Sequence, residues 1–439
     1  MGDPGQRRTK ILGASVPAWA LALGALCLLT AFAAEAQTYQ VIHNFVGGAD
    51  GAEPNYGLTI DSAGNLYGTT FEGDAGTGTA YKLSQGSTGW LLSPLYVFTV
   101  VSDGVIPYST LVPGPDGKLY GTTGFGGIGS CMSYGQSGCG TVFSLQMPMT
   151  CHVAHCSWTE TPLYKFSGHA DGSNPYGATL VFDQAGNLYG TTFNGGGGSC
   201  TSGCGVVFKL TPSGGSWTET VLYTFTGGPD GASPWAGVTL DAAGNLYGTT
   251  SAGGLYGDGT VYELSPAGSG WTQKTLHTFQ RQMDGGSPFS GVIFDPFGSL
   301  YGATQYGGPA GGGTVFQMTS LGGSWNFKTL YSFAGSGGGR AKGPVGNLVL
   351  DSAGNLYGST AGDGAYRFGS VFKLSHASST GWTFTSLHDF TNGLDGGSPR
   401  SNLVFDSAGN LYGTASVGGS GNPTTCVGSC GVVWQIKFH

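Results

Sequence analysis

Carboxylates, aromatic rings and cysteines are the side chains of this chain whose spacing could support chemistry. Asp50, Asp103, Asp171, Asp230, Asp284 and Asp395 each precede a glycine and return at similar intervals. Gathered at one mouth of a closed structure, such carboxylates could hold Ca²⁺ through oxygen ligands. Their simpler role is an Asx-type turn, in which each carboxylate holds its own backbone. A second series, Asp61, Asp116, Asp183, Asp241, Asp295, Asp351 and Asp406, lies just ahead of a repeated Leu-Tyr-Gly and reads as turn chemistry too. After a repeated proline come Tyr56, Tyr108, Tyr176, Trp235 and Phe289, with Val345 and Arg400 in the two remaining units. Rings there could stack on the apolar face of a sugar, or simply fill the space between units. Phe71, Phe125, Phe193, Tyr256, Tyr306 and Tyr366, in or beside glycine-rich loops, form a weaker second aromatic set.

Catalytic signatures are missing. There is no Gly-x-Ser-x-Gly elbow and no His-Glu-x-x-His. Gly124 to Gly129 fits Gly-x-Gly-x-x-Gly, but it leads into Ser130-Cys131 and more loop, whereas a dinucleotide site needs a helix N-terminus for the pyrophosphate. A glycosidase needs two carboxylates at a set separation, and the sequence singles out no such pair. His43, His277 and His388 share the register of Tyr96, Tyr164, Tyr223 and Tyr331 and read as substitutions in one strand.

The elements that carry these residues repeat. Gly-Asn-Leu-Tyr-Gly-Thr-Thr or a near variant occurs seven times, with tyrosines at 67, 120, 189, 247, 301, 357 and 412. The period of about 55 residues belongs to propellers, solenoids and arrays. Residues 217–271 read as one unit of four short strands: Trp217 to Phe225, Val238 to Asp241, Asn245 to Thr250 and Gly259 to Leu264, joined by Gly, Pro and Asp turns. Strands apolar on both faces suit a blade with a neighbour on each side. The glycine after each tyrosine is expected to admit the next blade closely, and Trp90, Trp158, Trp217, Trp271, Trp325 and Trp382 to be packing residues. Residues 39–45 match the Trp-to-Phe strand but arrive alone, and the chain ends at 431–437 lacking that strand. Pairing the two predicts an all-β, seven-bladed β-propeller of four-stranded antiparallel blades, closed between its termini with no open edge.

Residues 1–36 read as a secretory signal peptide: Arg7, Arg8 and Lys10, an apolar run, then Ala34-Glu35-Ala36. That leaves 37–439 as one propeller domain in a secreted, periplasmic or envelope protein, expected to be a monomer. No later stretch is long and apolar enough for a membrane span. The net charge of −8 argues against nucleic acid, which needs a basic stripe. Eight cysteines follow the leader in local pairs: Cys131 with Cys139, Cys151 with Cys156, Cys200 with Cys204, and Cys426 with Cys430. An exported context favours disulfides, each worth roughly 2–3 kcal/mol for loops this short. A metal site at Cys151-His152-Val153-Ala154-His155-Cys156 is the rival reading, against which the cramped spacing counts.

The Gly-Asn-Leu-Tyr-Gly-Thr-Thr phrase, the Gly-Thr-Val-Phe strand after it, the Leu-Tyr-x-Phe strand and Asp-Gly-x-x-Pro together resemble the GloVer (gloeo/verruco) repeat family of exported bacterial proteins, over about residues 39–439. That resemblance implies a propeller-like unit and carries no enzyme activity or catalytic residues. The expectation is a non-catalytic binding scaffold for extracellular glycans or protein partners, without cofactor unless Ca²⁺. The alternative is a metal-dependent lactonase-like or glycan-cleaving propeller enzyme, which needs a channel cluster that breaks the sevenfold pattern.

Overall fold

The computed structural model describes residues 1–2, 37–73, 76–99, 101–133, 135–148, 156–335, 343–377, 381–421, 426 and 430–439. The leader, Cys151 to His155, and the Gly339-Arg340-Ala341-Lys342 stretch that replaces the Asp-Gly turn of unit six lie outside the described residues. Seven antiparallel sheets form seven blades in a ring. Blade four is representative. Thr239–Leu240 is the inner strand, followed outward by Leu246–Thr250, Thr260–Ala267 and Gly270–Thr278. Blade two departs from this plan: its inner strand is split into Val105–Pro107 and Val112–Pro113, and its long loop carries a small hairpin, Met132–Ser133 with Gln136–Ser137.

The repeated phrase is a packing device read residue by residue. Leu246–Thr250 is buried at every position, as are the equivalent strands of the other blades. The tyrosine hydroxyl donates to the carboxylate of the turn before it, as Tyr67 does to Asp61 at 3.0 Å. Asp61 also accepts from the backbone N–H of Ala63 and Asn65 and from the Asn65 amide. Burial alone pushes the Asp61 carboxyl up, but these hydrogen bonds outweigh it and hold its pKa below the ordinary value. The first threonine of the phrase staples neighbouring blades: Thr69, Thr122, Thr191, Thr249 and Thr414 donate to backbone carbonyls of Ser109, Pro175, Ala236, Ser290 and Pro54 in the next blade. Blade five, with Ala303 there, makes no such bond.

The glycine of the phrase serves a different purpose from the one expected. A Cβ on Gly248 would stand 2.4 Å from the Tyr262 hydroxyl, and on Gly302 2.5 Å from the Phe316 ring. Those rings belong to the cross-strand partner within the same blade. The glycine therefore makes room for its own blade's aromatic, not for the next blade. The rings reach between blades by their other side. Phe45, Phe98, Phe166, Phe225, Phe279, Phe333 and Phe390, at the outer strand ends, meet Tyr81, Phe143, Phe208, Tyr262, Phe316, Phe372 and Trp434 of the following blade at 5.1–6.1 Å. The tryptophans pack as expected. Trp90, Trp158, Trp217, Trp271, Trp325 and Trp382 lie 5.9–6.5 Å from the tyrosine of the preceding blade, and Phe438 plays this part for blade seven.

The ring closes between the termini. Gln37–Asn44 pairs antiparallel with Val432–Phe438, from Gln37 opposite Phe438 to Asn44 opposite Val432. These bounds differ from the expected 39–45 and 431–437 by one or two residues. Phe45 against Tyr81, Trp90 against Tyr412, and Thr414 donating to Pro54 then join blade seven to blade one through the contacts used everywhere else.

One interblade position is a weak point. Outer strands carry Phe327 and Phe384 where they stack on His277 and Tyr331 of the preceding blade, at 3.9 and 4.6 Å. Blades two and three carry Glu160 and Glu219 in this register, each opposite the buried leucine of its third strand. One carboxyl oxygen of each is buried with no hydrogen-bond partner among the described residues. Burial, then Asp103, pushes Glu160 up to about 8; burial, then Asp171, pushes Glu219 up to about 7. A carboxyl raised in the folded state adds full stability below its unfolded value and loses it as pH rises through the folded value. The Glu160→Gln, Glu219→Gln double variant should therefore gain several degrees in Tm at pH 9 and little at pH 5. Equal gains at both pH values would show that the two carboxyls do not titrate this way.

Candidate functional site

The candidate site grows out of one backbone device repeated at the axis. After each Asp-Gly turn the chain runs inward, and the residue before the repeated proline takes the left-handed region: Glu53, Ile106, Asn174, Ser233, Ser287 and Ser398, with φ between 49° and 57°. Such backbone is costly for residues other than glycine. It is held by the preceding blade. Asn174 N–H donates to the Cys139 carbonyl at 2.7 Å, Ser233 to Cys204 at 2.8 Å, and Glu53 to Cys430 at 2.9 Å. Each of those cysteines is disulfide-bonded: Cys131–Cys139, Cys200–Cys204 and Cys426–Cys430, with Cα separations of 5.0, 5.2 and 5.3 Å. The disulfides thus fix not only their own loops but the inward turn of the next blade. Cys156 is also disulfide-bonded; its expected partner Cys151 lies outside the described residues.

That turn aims the aromatic residues at the axis. Successive rings form a chain: Tyr56 to Tyr108 at 5.0 Å, Tyr108 to Tyr176 at 4.7 Å, Tyr176 to Trp235 at 5.5 Å and Trp235 to Phe289 at 5.1 Å. Tyr56 is one residue out of register, because Asn55 is the residue next to Pro54; its ring joins the chain all the same. Part of the second aromatic set joins as well. Phe71 lies 5.4 Å from Tyr108, Phe125 5.7 Å from Tyr176 and Phe193 5.3 Å from Trp235. Tyr256 and Tyr366 do not: they stand 57% and 58% exposed on their loops. Tyr306 lies under the guanidinium of Arg281 at 5.5 Å.

These rings border two hollows, since Tyr108 and Trp235 line both. One is a small axial cavity of about 160 Å³, lined by the inward segments of all seven blades. The other is a cleft of about 680 Å³ on the face that carries the glycine-rich loops. Its floor is built from Tyr108, Phe125, Tyr176, Phe193 and Trp235, of which Phe193 and Trp235 are half-buried and the other three are buried behind them. Its walls are hydroxyls and amides (Ser130, Ser167, Ser173, Asn174, Asn194, Thr201 and Ser202) together with His169, Met132 and the bridged Cys131. Among the described residues no Asp, Glu, Lys or Arg lines it. The walls come from the loops of blades two and three that the Cys131–Cys139 and Cys200–Cys204 bridges pin. A floor of rings with a rim of neutral donors and acceptors matches a saccharide, whose ring has one apolar face and a hydroxyl edge.

The Asp-Gly carboxylates are engaged inside their own turns. Asp171 accepts from the Ser167 N–H and hydroxyl and from the Tyr164 hydroxyl. Asp230 does the same with Thr226 and Tyr223, and Asp50, Asp284 and Asp395 use His43, His277 and His388 in the tyrosine's place. The three histidines therefore stand apart, one per blade. Burial opposes ionisation of Asp395, but its bonds to Thr391 and His388 outweigh that and set its pKa below the ordinary value. Among the described residues no three His, Cys, Asp or Glu side chains converge as a metal-holding group.

No curated protein matches the chain. Solved structures with a similar fold include a polysaccharide lyase, the ulvan lyase PL25 (TM-score 0.54, 12% identity, covering 91% of this chain and 95% of that one). A second structure is that lyase bound to -[GlcA(1-4)Rha3S]- (TM-score 0.51, 12% identity, 91% and 95%). A third is a Bacteroides fragilis protein described as a 6-phosphogluconolactonase (TM-score 0.47, 16% identity, 88% and 89%). At such identities the likeness is one of fold. Residues 27–218 and 197–427 each match the Gloeobacter/Verrucomicrobia repeat family, so the chain, whose sevenfold phrase runs through both stretches, belongs to that family.

Proposed function

We propose that this propeller is an exported binding protein that takes a glycan in the cleft of blades two to four. The carrying observation is the asymmetry of the cleft: in blades two to four alone an aromatic floor, with Phe193 and Trp235 half-buried, meets walls of uncharged polar side chains. Disulfides suit an oxidising compartment, and no helix among the described residues is long and apolar enough to cross a membrane. The ulvan lyase named above binds a saccharide on a related ring of blades, which supports the glycan reading by analogy of fold only. The lactonase-like or glycan-cleaving alternative calls for a carboxylate or histidine cluster in the channel. Among the described residues the axial cavity is lined instead by aromatic, amide and hydroxyl side chains and Arg400, and holds no such cluster.

A glycan array probed with purified residues 37–439 tests the proposal. Binding to a defined subset of glycans, competed by the free sugar, is the expected outcome. A blank array with properly folded protein would contradict it.

A further inference from the structure

The axial cavity, which shares Tyr108 and Trp235 with the cleft, differs from it in one respect: it contains a charge. Among the described residues that line it, Arg400 is the one charged side chain. It sits directly after its proline, the register that Tyr108, Tyr176, Trp235 and Phe289 occupy in other blades. The amide oxygens beside it each accept a backbone hydrogen bond. Asn347 Oδ1 accepts from the Gly291 N–H at 2.6 Å, and Asn402 Oδ1 from the Asn347 N–H at 2.6 Å. Asn402 Nδ2 then donates to the Thr110 hydroxyl oxygen at 3.3 Å. With those oxygens engaged, the Asn347 amide N–H₂ and the Thr110 O–H are donors available to a ligand. A guanidinium with neutral donors around it is a receptor for an oxyanion. The carboxylate that feels Arg400 is Glu53. Its pKa is raised by burial first and by Glu72 second, against smaller lowering by Asn55 and Arg400. Arg400 itself reaches the Ser398 hydroxyl only at 3.4 Å.

We propose that the axial cavity is the acid-recognising subsite of the glycan cleft, in which Arg400 pairs with the carboxylate of a uronic-acid unit whose neighbouring sugar lies on Tyr108 and Trp235. This rests on the glycan reading above and narrows it to acidic saccharides. An exposed arginine reading a planar carboxylate makes two parallel N–H···O bonds, so discrimination of about tenfold or more against the uncharged sugar is expected.

The test uses an array with neutral and uronic-acid glycans side by side, then calorimetry on the strongest hit and its carboxyl-reduced counterpart. Uronic-acid glycans should dominate the hits, and the wild type should bind the acid form about tenfold or more tightly. Arg400→Gln should bring the two forms to within about twofold by weakening the acid form alone, and Arg400→Lys should restore only part of the preference. Hits confined to neutral glycans, or an Arg400→Gln variant that still prefers the acid, overturn the subsite while leaving the glycan reading intact. Sodium acetate displacing the glycan as effectively as sodium glucuronate would also overturn it, since the carboxylate alone would then suffice. A blank array overturns both.

Discussion

A chain beginning at Val46, without the strand Gln37–Asn44 and Phe45, should give no cooperative unfolding transition. The deletion strips the outer strand from blade seven and leaves Val432–Phe438 as an unpaired edge. Phe45 is fully buried against Tyr81, and losing a core phenylalanine costs about 3–5 kcal/mol by itself. Together with the lost ladder this reaches the ~5–15 kcal/mol that stabilises a typical domain, and an exposed sheet edge adds a route to aggregation. A circular permutant supplies the control. Gln37 lies opposite Phe438, so an Asn-Gly turn after His439 can lead straight into residues 37–45 at the new C-terminus. That permutant should recover the wild-type Tm to within a few degrees by calorimetry, while the plain truncation should not. Truncation and permutant melting alike would mean that the terminal pairing does not hold the ring.

The second large effect is on binding. Trp235 touches Tyr108, Tyr176, Phe193 and Phe289 and lines both hollows, so its ring is the part of the floor that a sugar in either position meets. Central aromatic anchors of this kind cost about 2 kcal/mol or more when truncated, which is about thirtyfold in affinity. Trp235→Ala should weaken the best array ligand by that factor and leave Tm within a few degrees, because Trp235 is only half-buried. The matching exchange at Tyr366, on an exposed loop of blade six, should leave affinity unchanged. Equal affinities for wild type and Trp235→Ala would remove the floor from the account.

Much of the fold was legible because repetition averages out local ambiguity. Seven copies of one phrase define the strands, and a lone strand at one end with a gap at the other defines closure. The cysteine pairs were legible from proximity, but their reach into the next blade was not, because it runs through a backbone bond from Asn174, Ser233 or Glu53. The glycine of the phrase was misread for a similar reason. Sequence shows that something approaches Gly248, and only register shows that it is Tyr262 on the same sheet. The site was partly legible. The axial aromatics come together as their common place after proline suggests, with Tyr56 one position late. What sequence missed was that Phe125 and Phe193, placed in a weaker set, complete the floor, while their counterparts Tyr256 and Tyr366 stay outside. A signal was available in the cysteine-bearing enlargement of the loops in blades two and three, a feature they share with blade seven, where no second-set aromatic stands. Arg400 was visible as a departure from the aromatic register. Its donor-rich setting depends on the Gly291, Asn347 and Asn402 relay across three blades, which no spacing in the chain reveals.

The most direct test of the binding account is a crystal structure of residues 37–439 soaked with the strongest array glycan. Sugar density lying across Tyr176 and Trp235, between the loops closed by Cys131–Cys139 and Cys200–Cys204, is the predicted result. Density on the opposite face, or against the outer strands, would contradict it.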